Sequence, residues 1–217
     1  MSQEMERAAS AMEEVVPAEQ EELRADLYRL LARLIREPAD APLLAWLADQ
    51  QSDDGIEAHQ DPVVSALIAL AQAAAEAGPD ELERAHFRHL VGVIQGEITP
   101  YASWYRHGEL MEQALVALRE DLRRLGFTRS DTSHDPEDHL AAMFEVMAML
   151  VEEQSPEAGT FFMSHLAPWA ERCLDDLARV DTLFYARTGE LGKAFIAEEH
   201  SQLAAEAEHS PVRIIEP

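Results

Sequence analysis

Residues 135–151 read Asp-Pro-Glu-Asp-His-Leu-Ala-Ala-Met-Phe-Glu-Val-Met-Ala-Met-Leu-Val, and no other stretch restricts the fold as much. Leu140, Met143, Phe144, Met147 and Val151 recur at helical spacing. Val146 and Leu150 widen the apolar surface, and Ala141, Ala142 and Ala148 fill much of the remainder. A helix that is apolar on most faces belongs at the centre of a bundle of other helices. Its start is predicted at Asp135, whose side chain suits an N-cap. Pro136 suits the first helical position, where no N–H is needed. Glu137 and Asp138 then lie at the positive end of the helix dipole. Asp138 and His139 are therefore expected as ionisable groups at the mouth of the central helix, the plain alternative being a cap and a satisfied histidine.

The rest of the chain fits around such a helix. Hydrophobic residues make up 47% of 217 residues, and no segment alternates as a strand would. The expected class is all-α, a bundle of roughly eight to ten helices. A first helix is predicted over about 17–36, with Leu23, Leu27, Leu30, Leu31, Leu34 and Ile35 as its core stripe and Pro38 as its stop. A short helix follows over about 43–48, anchored by Trp46. Asp61-Pro62 opens another helix, Gly78-Pro79 ends it, and a further one runs to about Val91. After a connection over 92–100, a helix is expected from about 108 to 125, with Gly126 as its C′ residue. Residues 127–134 are polar and are expected to act as a hinge between halves 17–126 and 135–200. Ser155-Pro156 and Pro168 open later helices. The last is predicted over about 181–199, where Gly189 and Gly192 either weaken it or permit close packing. Residues 1–16 read as a flexible acidic arm, 17–200 as the folded unit and 201–217 as a flexible tail.

Charge narrows the partners. The chain carries 42 acidic against 17 basic residues, a net charge of -25. Nucleic acid requires the opposite balance, and an anionic membrane surface is equally unsuited. A basic protein or peptide fits, because long-range attraction raises encounter rates; solubility alone would also account for the excess. Cys173 is the single cysteine, which excludes an intrachain disulfide and a multi-cysteine metal site. The first residues lack a basic and apolar leader pattern, and no apolar run is long enough to span a bilayer, so a cytoplasmic location is expected.

The motifs do not favour conventional catalysis. Glu83-Arg-Ala-His86 and Glu206-Ala-Glu-His209 have the spacing of a di-iron bundle, but the second pair sits in the unpatterned tail. Gly92-Val-Ile-Gln-Gly96 lacks the Gly-Lys-Ser/Thr ending of a phosphate loop. No nucleophile elbow is present. No catalytic residue, metal ligand or cofactor is assigned.

Several blocks together resemble one family. Pro100-Tyr101-Ala102-Ser103-Trp104-Tyr105 resembles the Pro-aromatic-x-Ser-x-Tyr block of the TorD/DmsD molybdoenzyme maturation chaperones. Pro136-Glu137-Asp138-His139-Leu140 is similar to that family's Asp-His signature. Phe161-Phe162-Met163-Ser164-His165-Leu166-Ala167-Pro168-Trp169 is similar to its Phe-Phe-x-x-His-Leu-x-Pro-Trp block, and Phe184-Tyr185 with Phe195 to its last helix. The resemblance covers about residues 20 to 199. One block departs: Phe87-Arg88-His89-Leu90-Val91-Gly92 has valine where the family usually has phenylalanine, and the connection after it is short.

The resemblance implies a non-enzymatic, cytoplasmic chaperone for a molybdenum oxidoreductase. Such a protein binds the catalytic subunit, commonly through its twin-arginine signal peptide, until the cofactor is inserted. Neither nucleic acid nor membrane is an expected partner, and a homodimer is compatible with the resemblance. It points to Asp138 and His139 as client-binding residues. Phe87, Pro100, Tyr101, Ser103, Trp104 and Tyr105 join them as the expected apolar groove, with core packing as the alternative for each aromatic. Phe161, Phe162 and Trp169 are assigned to the core. A metal-dependent helical enzyme using histidines and carboxylates, or a structural subunit of the assembled oxidoreductase, remains open on the residues alone.

Overall fold

The computed structural model describes residues 20–50, 61–93, 95–110, 113–130 and 135–209, with side chains through 205. These residues form ten α-helices and no strand. They are α1 (20–36), α2 (Ala41–Asp49), α3 (Pro62–Glu76), α4 (Pro79–His86), α5 (Ala102–His107), α6 (Gln113–Arg124), α7 (Leu140–Glu152), α8 (Ala158–Phe161), α9 (Ala170–Leu177) and α10 (Leu183–His209). Two π-helical turns, Phe87–Val91 and Phe162–Leu166, continue α4 and α8. Asp40 and Asp61 cap α2 and α3 through their side chains, as Asp-Pro and Asp-Ala-Pro sequences favour. No single helix among the described residues is long and apolar enough to cross a membrane.

α7 occupies the centre. Leu140, Met143, Phe144, Met147, Leu150 and Val151 are all buried, and burying each large side chain is worth about 1.5–3 kcal/mol. One apolar core takes residues from both sides of 127–134: Leu31, Leu34 and Leu70 share it with Phe144, Phe162 and Leu191. α10 packs on both α3 and α9, so helices on either side of 127–134 share that core. Residues 131–134, at the expected hinge, lie outside the described residues, as do 1–19 and 210–217.

α1 turns a different face inward at its start than the leucine pattern suggests. Leu23 is exposed, and Tyr28 is fully buried, edge-on to Phe144 and Phe195. The tyrosine hydroxyl needs a partner inside the core, and it donates to Glu199 at 2.8 Å. Arg24 grips the same buried carboxylate at 2.7 and 2.9 Å, joining α1 to α10. A buried carboxylate is tolerated when paired and hydrogen-bonded in this way. Trp46, expected as an anchor, stands out from α2 half exposed.

The last helix runs ten residues past the predicted Glu199. Leu203 is buried, with a side-chain carbon 3.7 Å from where a Cβ on Gly159 would sit, so the expected tail begins docked rather than loose. Close packing, not weakening, explains the two glycines. A Cβ at Gly189 would lie 2.4 Å from the Ala178 nitrogen and 2.7 Å from the Leu174 oxygen, both backbone atoms. Gly189→Ala is therefore expected to lower stability by about 1–3 kcal/mol through overpacking. A denaturant midpoint matching the parent's would show that α9 yields freely.

Candidate functional site

The Pro100–Tyr105 and Pro136–Leu140 blocks are two sides of one seam. Tyr101 and His139 pair as an isolated antiparallel bridge. Around it, Ala102 N–H donates to the Asp138 carbonyl at 2.9 Å, and Leu140 N–H donates to the Pro100 carbonyl at 2.8 Å. This bridge holds His139 in an extended conformation and corrects the predicted helix start. Pro136–His139 forms a turn, and α7 begins at Leu140 with His139 as its N-cap. Asp135 does not cap α7; it accepts from the Tyr101 hydroxyl at 3.2 Å.

Asp138 is not at an exposed helix mouth, as the local pattern suggests, but fully enclosed. Its Oδ2 accepts from Ser103 N–H at 2.9 Å and Ser103 Oγ–H at 2.6 Å, capping α5 from a distant part of the chain. Oδ1 is buried without a hydrogen-bond partner among the described residues. Asp138 and Ser103 therefore hold the seam together, and neither side chain reaches a surface.

His139 is also buried, but its ring borders the surface. Nδ1 accepts from Ala141 N–H at 3.2 Å, which places the ring proton on Nε2. Burial pulls its pKa down to about 4, so the ring is neutral at pH 7. The Tyr101 ring meets it edge-on, with centroids 4.9 Å apart.

Two depressions adjoin at His139, sharing Arg36, Asp135, Pro136 and His139 in their walls. The larger, about 640 Å³, is walled by Glu37, Glu137 and Glu145 over an apolar floor of Leu122, Phe127, Val146 and Met149. The smaller, about 390 Å³, is lined by Leu90, Val91, Ile98, Pro100, Tyr101 and Leu110. Val91 and Leu110 are half exposed at its rim, and Val93 on the adjoining loop is 92% exposed. That loop is pinned by His89. The ring is fully buried, with Nδ1 2.5 Å from Glu97 and Nε2 2.9 Å from Thr182, while Ile98 N–H donates to the His89 carbonyl at 2.7 Å.

The expected groove residues thus divide. His139, Pro100 and Tyr101 line the depressions. Phe87 stands half exposed at the head of the π turn that supplies Leu90 and Val91, and Trp104 is partly exposed on α5. Tyr105 faces elsewhere: it stacks on buried Trp169 and donates to Asp176 at 2.8 Å. The core assignment of Phe161, Phe162 and Trp169 agrees with their burial. Arg36, Asp135, Glu145 and Leu110 line the site and were not anticipated. Asp135 was legible only as a cap.

Metal-binding geometry does not form among the described residues, where no three histidine, cysteine or carboxylate side chains converge. His86 is bonded to the Ile35 carbonyl, and burial lowers its pKa. The side chains of Glu206 and His209 lie outside the described ones. Burial also pushes the Cys173 thiol up to about 12, making it a packed apolar group at neutral pH.

Comparison with known proteins decides the family. The family model described as nitrate reductase delta subunit matches residues 49–175, more than half of the chain. The chain belongs to that family. Within it, the TorD/DmsD resemblance is carried by curated relatives. The Tat proofreading chaperone DmsD of Salmonella typhi is 29% identical over 128 residues, covering 57% of this chain and 63% of the relative. The chaperone protein TorD of Actinobacillus succinogenes is 29% identical over 80 residues, covering 36% and 42% respectively. The match thus spans less than two thirds of the length of these TorD/DmsD relatives. A solved structure from Archaeoglobus fulgidus, assigned as a redox enzyme maturation protein, aligns over 84% of this chain and 94% of its own at 15% identity, with a TM-score of 0.48. The all-α fold and the TorD/DmsD resemblance both stand.

Proposed function

We propose that this TorD/DmsD family member is a cytoplasmic maturation chaperone for a molybdenum-containing oxidoreductase subunit. It holds that subunit through a basic and apolar N-terminal signal region before export. The observation that carries this reading is the pair of depressions meeting at His139, one acidic over an apolar floor and one apolar. Such a surface suits a peptide with cationic and apolar parts on a chain of net charge -25. Family membership and relatives named as chaperones support it. In this reading His139, Pro100 and Tyr101 contact the client, while Asp138 and Ser103 keep the wall in place.

The test is titration of the full chain with a signal-region peptide at two ionic strengths. Affinity is expected to be several-fold weaker at about 1 M than at about 0.1 M salt, where the screening length changes from about 3 Å to about 10 Å. Equal affinity at both would remove the electrostatic part of the proposal. Absence of binding at either would remove the signal-region part.

A further inference from the structure

A signal region with a cationic end and an apolar stretch can cross the two depressions in either direction. We propose that its arginines occupy the larger depression, beside α6 and α7, and its apolar stretch the smaller one, with the peptide crossing at His139 and Asp135. This direction rests on the signal-region reading above.

Charge separates the two ends. Four carboxylates line the larger depression, Glu37, Asp135, Glu137 and Glu145, against the guanidiniums of Arg36 and Arg129. Glu137 is already paired with Arg119 at 2.7 Å, and Glu145 with Arg36. Glu37 and Asp135 make no ion pair among the described residues and remain available to an incoming guanidinium. The smaller depression has a single carboxylate, Asp135, and it stands at the shared boundary.

The floors differ in the same sense. An arginine side chain is a three-methylene stem with a planar fork, and it buries the stem while the fork pairs with carboxylates. Val146 and Met149 line the same depression as Glu37 and Glu145 and offer that combination. The smaller depression offers Leu90, Val91, Ile98 and Leu110 with half-exposed rims, and exposed apolar surface of this kind marks a contact site. The opposite direction would set guanidiniums against aliphatic walls with one carboxylate in reach. It would also lay apolar side chains over four carboxylates, desolvating charges on both sides without compensation.

The experiment uses the full chain and a synthetic peptide of two arginines followed by a dozen apolar residues. A photo-reactive phenylalanine analogue replaces Met149 in one preparation and Leu110 in another, both sites being solvent-accessible. Adducts are mapped by mass spectrometry. The Met149 probe is expected to label residues flanking the arginine pair, and the Leu110 probe the apolar stretch. The reverse pattern overturns the direction and leaves the partner intact. Labelling of the same peptide residues from both sites, or of none while the peptide is bound, overturns the placement. No binding by the unsubstituted chain overturns the signal-region reading itself. Independently, Glu37→Gln with Asp135→Asn is expected to weaken the arginine peptide about tenfold, the scale of a lost charge-assisted contact. The same variant should leave an alanine-substituted peptide unchanged. Equal weakening of both peptides would overturn the assignment of the acidic end.

Discussion

Asp138→Ala is expected to lower the unfolding free energy by about 3 kcal/mol. The carboxylate accepts both the Ser103 N–H and hydroxyl inside a fully buried seam. Removing it takes away the acceptor that both groups share inside the core, and losing a buried hydrogen-bond partner costs about 1–3 kcal/mol. Asp138→Asn keeps an acceptor for the same donors and gives up only the charge assistance, so a loss of about 1 kcal/mol is expected. Urea unfolding of the two variants checks this, with m unchanged if the denatured state is unaltered. If Asp138→Ala falls within about 0.5 kcal/mol of the parent, the range of ordinary surface substitutions, the seam does not depend on this cap. A Ser103→Ala, Asp138→Ala double variant should lose less than the sum of the single losses, because both remove the Ser103 Oγ–H to Asp138 Oδ2 bond.

His139 makes the fold acid-sensitive in a defined window. Its folded pKa of about 4 lies below the value of about 6.5 for a free histidine. Between those values the unfolded chain binds a proton that the folded chain does not, so stability falls as pH falls. The contribution is fully present above about pH 6.5 and is lost progressively toward about pH 4, amounting to about 3 kcal/mol across the window. His139→Asn retains an N-cap acceptor for Ala141 and does not titrate. The expected result is a shallower loss of stability from pH 6.5 to 4 than in the parent, whatever the absolute stability of the variant. Parallel stability curves for the two proteins would show that the ring is protonated in the fold without penalty.

How far the sequence foretold this structure depends on whether each signal was local. The apolar periodicity of residues 140–151 is local, and it announced both the class and the central helix. Gly126 as a left-handed helix terminator was likewise readable in place. The start of α7 was misread because Asp135-Pro136 carries a strong local cap signal. The competing bridge to Tyr101 comes from 38 positions away and leaves no periodic trace. The same applies to Tyr28 and Glu199, a buried pair 171 residues apart that looks like two unrelated side chains. The family resemblance located both blocks of the seam, yet gave no indication that Asp138 serves Ser103 while the buried His139 borders the two depressions. Tyr105 was expected beside Tyr101, but a helical turn swings it to Trp169 and α9.

The long-range cap also bears on the order in which the chain can assemble. The first amides of α5 find their acceptors on residue 138, through its carbonyl for Ala102 and its carboxylate for Ser103. A ribosome-bound chain that has emerged only as far as α6 holds those amides without their native acceptors, and a helix of six residues does not sustain itself in water. The wall carrying Pro100 and Tyr101 therefore takes its final position only after the 135–140 turn has cleared the exit tunnel. Under the proposed function, a client could engage this surface only after most of the chain has been synthesised.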